Sequence, residues 1–244
     1  MKQKPYLLAT DLDNTLVGDQ TALNNLFSFY RDKQFDPALV YVTGRHLNSA
    51  LSLIKQEKLP LPDILITDVG TAIYHAPDWS EDRTWSAWVN ETWSPNDVLS
   101  ASGDFHSLIR QNLPHQKRIS FTLDSCQPHI VQAIQAKLDT HHIPCHIVYS
   151  SGSDLDILPE RSGKGKAMEY VLLEYAKKDV NILLAGDSGN DAEMLSLDYP
   201  AVIVGNAQDE LKELPHHALL YRAEGHNADG IKEAWEHFYP TIHT

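Results

Sequence analysis

Short apolar runs alternate with amphipathic stretches over the first third of the chain. The runs at 6–10 (YLLAT), 38–43 (ALVYVT) and 63–67 (DILIT) carry few charges, as buried strands of a parallel sheet do. Residues 21–33 and 46–58, which lie between them, have the spacing of amphipathic helices. Repeated strand–helix–strand units predict a parallel sheet with helices on both faces.

The pattern changes between residues 81 and 159. Here the sequence predicts two helices and three strands, the last two strands forming a hairpin around SGSD. The helices are expected at 95–112 and 127–141, and the strands at 118–124, 145–150 and 155–159. In the segment RTWSAWVNETW, Trp85, Trp88 and Val89 are spaced as one helical face. This spacing favours packing inside the small unit over a platform for sugar stacking.

Strand–helix alternation resumes at residue 162. Helices are predicted at 163–178 and 227–238, and strands at 181–187, 201–205 and 218–222. The fold class predicted is therefore α/β, with a Rossmann-like parallel-sheet core and an inserted α+β cap domain. We expect residues 1–80 and 160–244 to form the core, and residues 81–159 to form the cap that determines substrate specificity.

Charge and length exclude several classes of function. The 244 residues carry 20 Lys+Arg against 33 Asp+Glu, a formal net charge of −13, which argues against a nucleic-acid partner and an anionic membrane surface. No apolar run approaches the roughly 18 residues that span a bilayer, so a cytoplasmic protein is expected. No disulfide is expected between Cys126 and Cys145, and the 13 histidines show no recognisable ligand spacing.

Polar groups follow several of the predicted strands. They are Asp11 and Asp13 after the first strand, Thr43, Gly44 and Arg45 after the second, and Asp187, Ser188, Gly189, Asn190 and Asp191 after the strand at 181–187, with Lys164 at the start of the preceding helix. Ligands of open parallel sheets bind beyond the carboxyl ends of the strands, so these groups should converge. Converging carboxylates can coexist around a hard divalent cation, and oxygen ligands suit Mg²⁺.

These residue types suit phosphoryl transfer. A carboxylate such as Asp11 is a competent nucleophile at phosphorus when the phosphoryl group is polarised, and Asp13 could exchange protons with the leaving oxygen and then with water. Lys164 and the Thr43 hydroxyl would neutralise and orient the phosphoryl oxygens. Each feature also has a structural alternative: the paired acids could form an Asx turn, and Lys166 competes with Lys164 for the same role.

Four motifs carry a resemblance to a known family. DLDNT, VYVTGR, SGKGKA and GDSGND, in this order, resemble the motifs of the haloacid-dehalogenase-like (HAD-like) phosphatases. A cap inserted between the second and third motifs is similar to the α/β-capped branch of that superfamily, which acts mostly on sugar phosphates. The longer stretches SSGSDLDILPERSGKGKA, VGNAQDEL and RAEGHNADGI resemble the sucrose-phosphate phosphatase family of plants and cyanobacteria.

The resemblance implies roles for individual residues. It makes Asp11 the nucleophile and Asp13 the general acid/base. It assigns phosphate binding to Thr43, Gly44, Lys164 and Asn190, and Mg²⁺ binding to Asp11, Asp13 (through its backbone carbonyl), Asp187 and Asp191. The residues expected to meet the sugar are Arg45, Ser150, Asp154 and Asp156, while Arg45 could instead hold a structural carboxylate.

The expected activity is Mg²⁺-dependent hydrolysis of sucrose 6-phosphate through an aspartyl-phosphate. The partner is then a small-molecule sugar phosphate, and an association with sucrose-phosphate synthase is left open. Phosphates of glucosylglycerol, mannosylglycerate or trehalose are alternative substrates, because such enzymes differ in the cap. A phosphomutase could share the core residues, and a non-catalytic binding partner of a synthase is the alternative from a different class.

Overall fold

The computed structural model describes residues 1–123 and 128–240. Its strands are Tyr6–Thr10 (β1), Ala38–Val42 (β2), Ile64–Thr67 (β3), Ala72–His75 (β4), Ser80–Glu81 (β5), Leu108–Arg110 (β6), Ile119–Leu123 (β7), Cys145–Ser150 (β8), Asp154–Pro159 (β9), Asn181–Gly186 (β10), Ala201–Ile203 (β11) and Leu220–Arg222 (β12). Its α-helices are Gln20–Asp32 (α1), Leu47–Gln56 (α2), Arg83–Asn90 (α3), Pro95–Ser102 (α4), Pro128–Thr140 (α5), Lys164–Tyr175 (α6), Ala192–Leu195 (α7) and Asn227–Phe238 (α8).

The larger sheet has eight strands in the order β12-β11-β10-β1-β2-β3-β4-β5. The first six of these are parallel, and β4 and β5 extend the sheet with antiparallel pairing. β1 lies between β10 and β2, with Tyr6 opposite Asn181 and Leu7 opposite Ala38. The carboxyl ends of β1, β2 and β10 therefore meet at one edge, as the sequence predicts.

Helices cover both faces of the larger sheet. Alternating side chains of β1 enter different cores: Leu8 packs in one cluster with Trp235 of α8, and Leu7 packs in the other with Met168 of α6. This arrangement follows from the period of two in a strand, since a buried strand must present apolar side chains to both faces. It confirms the predicted α/β core.

The smaller sheet is antiparallel, in the order β6-β7-β9-β8, and α4 and α5 pack on one of its faces. The prediction of a helix over 95–112 is wrong in its second half. α4 ends at Ser102, ahead of Gly103, and Leu108–Arg110 pairs with β7 as an edge strand. The apolar positions near residue 108 suit either structure, and the pairing with β7 decides between them.

The helix α3 packs on the larger sheet, although it lies in the segment predicted to form the cap. Trp85 and Val89 are buried among core residues such as Ile66, and the Trp85 indole donates a hydrogen bond to the Gly70 carbonyl at 3.2 Å. Trp88 is 45% exposed, so the three residues do not share one buried face. We propose that the small unit begins after α3 rather than at residue 81.

The other predicted elements agree with the structure to within a few residues. Asp124 and Gln127, at the ends of a predicted strand and a predicted helix, lie outside the described residues, as does Cys126. Within the described ranges, no helix combines the length and apolar character needed to cross a bilayer.

Candidate active site

The loop after β1 brings Asp11 to the edge where three strands end. The Asp11 N–H donates to the Ala185 carbonyl at 3.0 Å, which continues the pairing of β1 with β10 one residue beyond the strand. In the same way the Thr43 N–H, after β2, donates to the Ile66 carbonyl at 2.9 Å. The sheet itself therefore fixes the backbone at these positions.

Three buried carboxylates gather around one lysine. Lys164, the first residue of α6, donates from Nζ to Asp11 Oδ1 at 2.6 Å and to Asp191 Oδ1 at 2.7 Å. Asp11, Asp187 and Asp191 each offer a carboxylate oxygen within 4.8 Å of the others. Asp187 is held by the Thr15 hydroxyl, which donates to its Oδ1 at 2.7 Å.

Asp191 shapes the loop that carries Asp187. Its Oδ2 accepts the backbone N–H groups of Asp187 at 3.0 Å and Ser188 at 3.1 Å. The loop can close this tightly because residue 186 is glycine: a Cβ there would lie 2.5 Å from the Asp191 Cβ. Both oxygens of Asp191 thus accept bonds from the protein itself.

The pKa values of Asp11 and Asp187 lie above the ordinary range of carboxyl groups. Burial raises the pKa of Asp187 to about 6, and the nearby Asp191 adds to the shift. Burial also raises the pKa of Asp11 well above its ordinary value, with Lys164 opposing this effect. Burial alone would lower the pKa of Lys164, but the charges of Asp11 and Asp191 outweigh it and raise that pKa.

The cluster fits a divalent cation. When ionised, its three carboxylates exceed the single lysine by two negative charges, and the donor atoms are all oxygens. The buried Oδ1 of Asn190 has no hydrogen-bond partner among the described residues, as expected for a group that meets a ligand. Asp11, Asp187 and Asp191 are the described residues of this cluster that could hold such an ion.

Two carbonyl groups of the loop after β2 accept hydrogen bonds from the segment that follows β3. The Thr43 carbonyl accepts the N–H of Val69 at 3.2 Å, and the Arg45 carbonyl accepts that of Asp68 at 2.9 Å. Asp68 and Val69 adopt φ values of 53° and 58°, which are strained for a β-branched residue such as valine. The Thr43 N–H is already bonded to the Ile66 carbonyl, and the Arg45 N–H donates to the Thr43 hydroxyl oxygen at 3.1 Å. The Gly44 N–H and the hydroxyl hydrogen of Thr43 are therefore the donors of this loop that a phosphate could use.

Arg45 makes a bidentate ion pair with Asp13. Its Nε and Nη2 donate to the two carboxylate oxygens at 2.7 Å and 2.8 Å. The alternative of a carboxylate partner for Arg45 is therefore the one observed, and that carboxylate belongs to the predicted general acid/base. Asp13 is part-exposed and faces the cleft, in contrast to the buried Asp11.

A polar cleft of about 310 Å³ separates this edge from the small sheet. Its walls contain most of the predicted site residues and several that the sequence analysis did not single out. The predicted ones are Asp11, Asp13, Gly44, Arg45, Ser150, Asp154, Asp156, Asp187 and Asn190; the additional ones include Asn14, Gln111 and Arg118. Thr43, Lys164 and Asp191 are buried behind the cleft wall.

Arg118 connects the small sheet with the loop after β2. Its Nη2 donates to the Gly44 carbonyl at 2.7 Å, and its Nη1 contacts Asp156 and donates to Ser120 at 2.6 Å. Nearby, Gln111 donates to Asp154 at 3.0 Å, and burial raises the pKa of Asp154. No sequence motif identifies Arg118 or Gln111. The available signal is that both are polar residues at or near predicted strands of the cap.

One alternative from the sequence is decided by geometry, and two asparagines show what the later family-like stretches contribute. Lys166 is 40% exposed and donates to the Glu160 carbonyl at 2.9 Å, so Lys164 is the lysine among the carboxylates. Asn227 donates to the Asn14 carbonyl at 2.6 Å, and Asn206 donates to the same carbonyl at 2.7 Å. The stretches VGNAQDEL and RAEGHNADGI therefore support the loop that follows Asp13.

Known proteins resemble this chain over most of its length. A family model described as "Sucrose-6F-phosphate phosphohydrolase" matches residues 4–239. "Sucrose-phosphatase 2" of Nicotiana tabacum is 35% identical over 221 residues, which are 84% of this chain and 51% of that protein. The chain thus spans about half the length of this curated relative. "Mannosylfructose-phosphate phosphatase" of Agrobacterium fabrum is 33% identical, covering 95% of this chain and 96% of that protein.

A solved structure shows the same similarity. The sucrose-phosphatase of Synechocystis sp. PCC6803, solved in complex with sucrose and phosphate, is 36% identical. It superposes with a TM-score of 0.90 over 97% of this chain and 98% of that chain. The fold is therefore the HAD-like α/β fold expected from the four motifs.

Proposed function

Because the chain belongs to the sucrose-6F-phosphate phosphohydrolase family, we propose that it is a phosphatase that releases inorganic phosphate from a sugar phosphate. Sucrose 6-phosphate is the substrate we infer first, from the family description and from the Synechocystis relative, solved with sucrose and phosphate. The observation that carries the proposal is the cluster of Asp11, Asp187, Asp191 and Lys164 beside a polar cleft. Buried acids at this density are costly unless they serve chemistry.

We propose that Asp11 and Asp187 hold a Mg²⁺ ion, with the Asp13 backbone carbonyl as a further oxygen donor. Asp191 would act on this site through the loop, because its own oxygens accept bonds from Lys164 and two N–H groups. When bound, the ion would supply Lewis-acid polarisation of the phosphoryl group and offset the charge of the carboxylates.

In the first step a carboxylate oxygen of Asp11 attacks phosphorus, and the bond between phosphorus and the sugar oxygen breaks. Asp13 donates its proton to the departing sugar oxygen, and an aspartyl-phosphate remains on Asp11. Lys164, the Thr43 hydroxyl, the Gly44 N–H and Asn190 would hold the phosphoryl oxygens. In the second step Asp13 takes a proton from water, the water oxygen attacks phosphorus, and phosphate leaves as Asp11 is restored.

Asp13 must carry a proton before the first step. In this structure both of its carboxylate oxygens accept hydrogen bonds from Arg45. Substrate binding therefore has to loosen this pair, either by moving Arg45 onto the substrate or by excluding water from the cleft. This requirement gives Arg45 a place in the substrate-binding step as well as in the resting site.

The sugar is proposed to lie against the small sheet, on Ser150, Asp154 and Gln111. Hydroxyl-rich ligands need such donors and acceptors, and these side chains line the cleft opposite Asp11. Asp156 is engaged by Arg118 and Ser120, so we propose that it orients Arg118 rather than binding sugar hydroxyls first. This refines the roles expected for Asp154 and Asp156.

A panel of phosphate esters tests the substrate. Phosphate release with Mg²⁺ should be fastest for sucrose 6-phosphate among sucrose 6-phosphate, trehalose 6-phosphate, glucosylglycerol phosphate, mannosylglycerate phosphate and mannosylfructose phosphate. Mannosylfructose phosphate is the second candidate, because the Agrobacterium relative covers 95% of this chain at 33% identity. If total organic phosphate is retained while the substrate is consumed, the protein is a phosphomutase instead.

The covalent scheme is tested by Asp11→Asn. This change should abolish turnover while the variant remains folded, because an amide is not a competent nucleophile. Substantial residual activity would contradict an aspartyl-phosphate on Asp11. Absence of Mg²⁺-dependent turnover by the unmodified protein on every ester would favour a non-catalytic partner of a synthase. Co-purification with sucrose-phosphate synthase tests that association separately.

A further inference from the structure

Glu210 joins two parts of the molecule that face each other across the cleft edge. It lies on the 3₁₀ turn Asp209–Glu213, within the stretch VGNAQDEL. Its Oε1 accepts the N–H of Gly189 at 2.6 Å and the N–H of Ser151 at 2.9 Å. Gly189 follows Asp187 and Ser188 in the loop of the carboxylate cluster, and Ser151 lies at the tip of the hairpin formed by β8 and β9.

We propose that Glu210 is a positioning residue that holds the β8–β9 hairpin tip onto the loop of Asp187, and thereby favours substrates whose leaving group fills the cleft. The proposal rests on the phosphatase function proposed above and adds a determinant of selectivity that touches no substrate. Ser150 and Ser151 line the cleft, so the position of the tip sets where their hydroxyls lie.

The chemistry of the contact supports this role. One carboxylate oxygen accepts two backbone N–H groups, one from the loop after β10 and one from the turn between β8 and β9, and bonds to charged acceptors are about twice as strong as neutral ones. Ser151 adopts φ 54°, a left-handed conformation that serine rarely takes, and its N–H points to Glu210 in this conformation. The carboxylate therefore helps to stabilise an otherwise unfavourable hairpin tip.

The backbones also approach closely at this point. A Cβ added at Gly189 would lie 2.8 Å from both Glu210 Oε1 and the Tyr149 carbonyl oxygen. Glycine at position 189 thus allows the end of β8 to pack directly against this loop, and Glu210 contacts both segments. Any larger residue at 189 would separate the hairpin from the carboxylate cluster.

Replacing Glu210 tests the position of the hairpin more directly than replacing the residue that makes the contact at the other side of the cleft. There Arg118 donates to the Gly44 carbonyl, but Arg118 itself lines the cleft and can meet substrate. Glu210 is not among the described residues that line the cleft. Its replacement therefore changes the position of the hairpin without removing a group that faces the sugar.

The test compares Glu210→Ala with Glu210→Gln and with Glu213→Ala, a control at an exposed residue on the same turn. Two substrates are used: the disaccharide phosphate preferred by the unmodified protein, and p-nitrophenyl phosphate, whose leaving group is smaller than a disaccharide and lacks its hydroxyl groups. For Glu210→Ala we expect kcat/KM to fall about tenfold on the disaccharide phosphate, mainly through KM, and less than about threefold on the small ester. Glu210→Gln, which keeps an acceptor oxygen, should fall between, and Glu213→Ala should match the unmodified protein.

Equal losses on both substrates, or no loss on either, would overturn the proposal. Hydrogen exchange gives a readout without activity: the amides of residues 150–152 should exchange faster in Glu210→Ala than in Glu213→Ala, while those of β1 stay unchanged. Unchanged exchange at 150–152 would also overturn it. If the unmodified protein hydrolyses no ester, the proposed function fails, whereas the exchange experiment still decides whether Glu210 holds the hairpin.

Discussion

Replacing Lys164 with methionine would remove the positive charge that lies between two buried carboxylates. Lys164 Nζ is 2.6 Å from Asp11 Oδ1 and 2.7 Å from Asp191 Oδ1, and the side chains of Lys164 and Asp191 are fully buried. Methionine is similar in length and has no charge. The variant therefore isolates the electrostatic contribution from the packing of the lysine stem.

The expected loss of folding stability is large because the buried carboxylates of Asp11 and Asp191 do not regain contact with water when the lysine charge is removed. At an effective dielectric constant of about 20, unit charges 2.6 Å apart attract by about 6 kcal/mol, and desolvation of the lysine offsets part of this. Removing one partner of a buried pair typically costs about 3–5 kcal/mol. We expect the free energy of unfolding of Lys164→Met to fall by about this amount in EDTA, and turnover to fall at least about 10²-fold.

Urea unfolding followed by circular dichroism at pH 7 provides the measurement. Lys166→Met is the matched control: its side chain is 40% exposed and bonds to a backbone carbonyl, so the loss should stay below about 1 kcal/mol. Adding Asp191→Asn to Lys164→Met should restore part of the stability by removing an uncompensated charge. The reasoning is refuted if Lys164→Met loses no more than Lys166→Met, or if Asp191→Asn deepens the loss.

Three further predictions concern the cap, the core and the site. Burial, aided by Lys166, lowers the pKa of His146 to about 4, so the unfolded chain binds this proton first as the pH falls. The free energy of unfolding should then decrease by up to about 3 kcal/mol as the pH falls from about 6.5 to about 4. Urea unfolding at several pH values should show a smaller decrease for His146→Gln. Trp85→Ala should cost about 3–5 kcal/mol in thermal or urea unfolding, and Trp88→Ala less than about 1 kcal/mol; equal costs would contradict the burial difference. Gly186→Ala should abolish the Mg²⁺-induced rise in melting temperature, since its Cβ would displace Asp191; an unchanged rise would show that the loop can adjust.

The sequence by itself determined the core and its chemistry. The runs at 6–10, 38–43 and 181–187 are apolar at successive positions, so they had to be strands buried on both faces, and the parallel order followed from the helices between them. Once these strands were parallel, Asp11 and Asp187 had to meet at one edge of the sheet. Local periodicity and topology were sufficient for this part of the site.

The tertiary structure decided everything that depends on contact between distant segments. The run near residue 108 becomes a strand because β7 offers backbone partners, and α3 joins the larger sheet because Trp85 fits there. Arg118 and Glu210 lie in no recognisable catalytic motif, and their roles arise from backbone groups 74 and 21 residues away along the chain. Side-chain hydrogen bonding has no sequence period, so only the folded chain shows which carbonyl or N–H each charged group reaches.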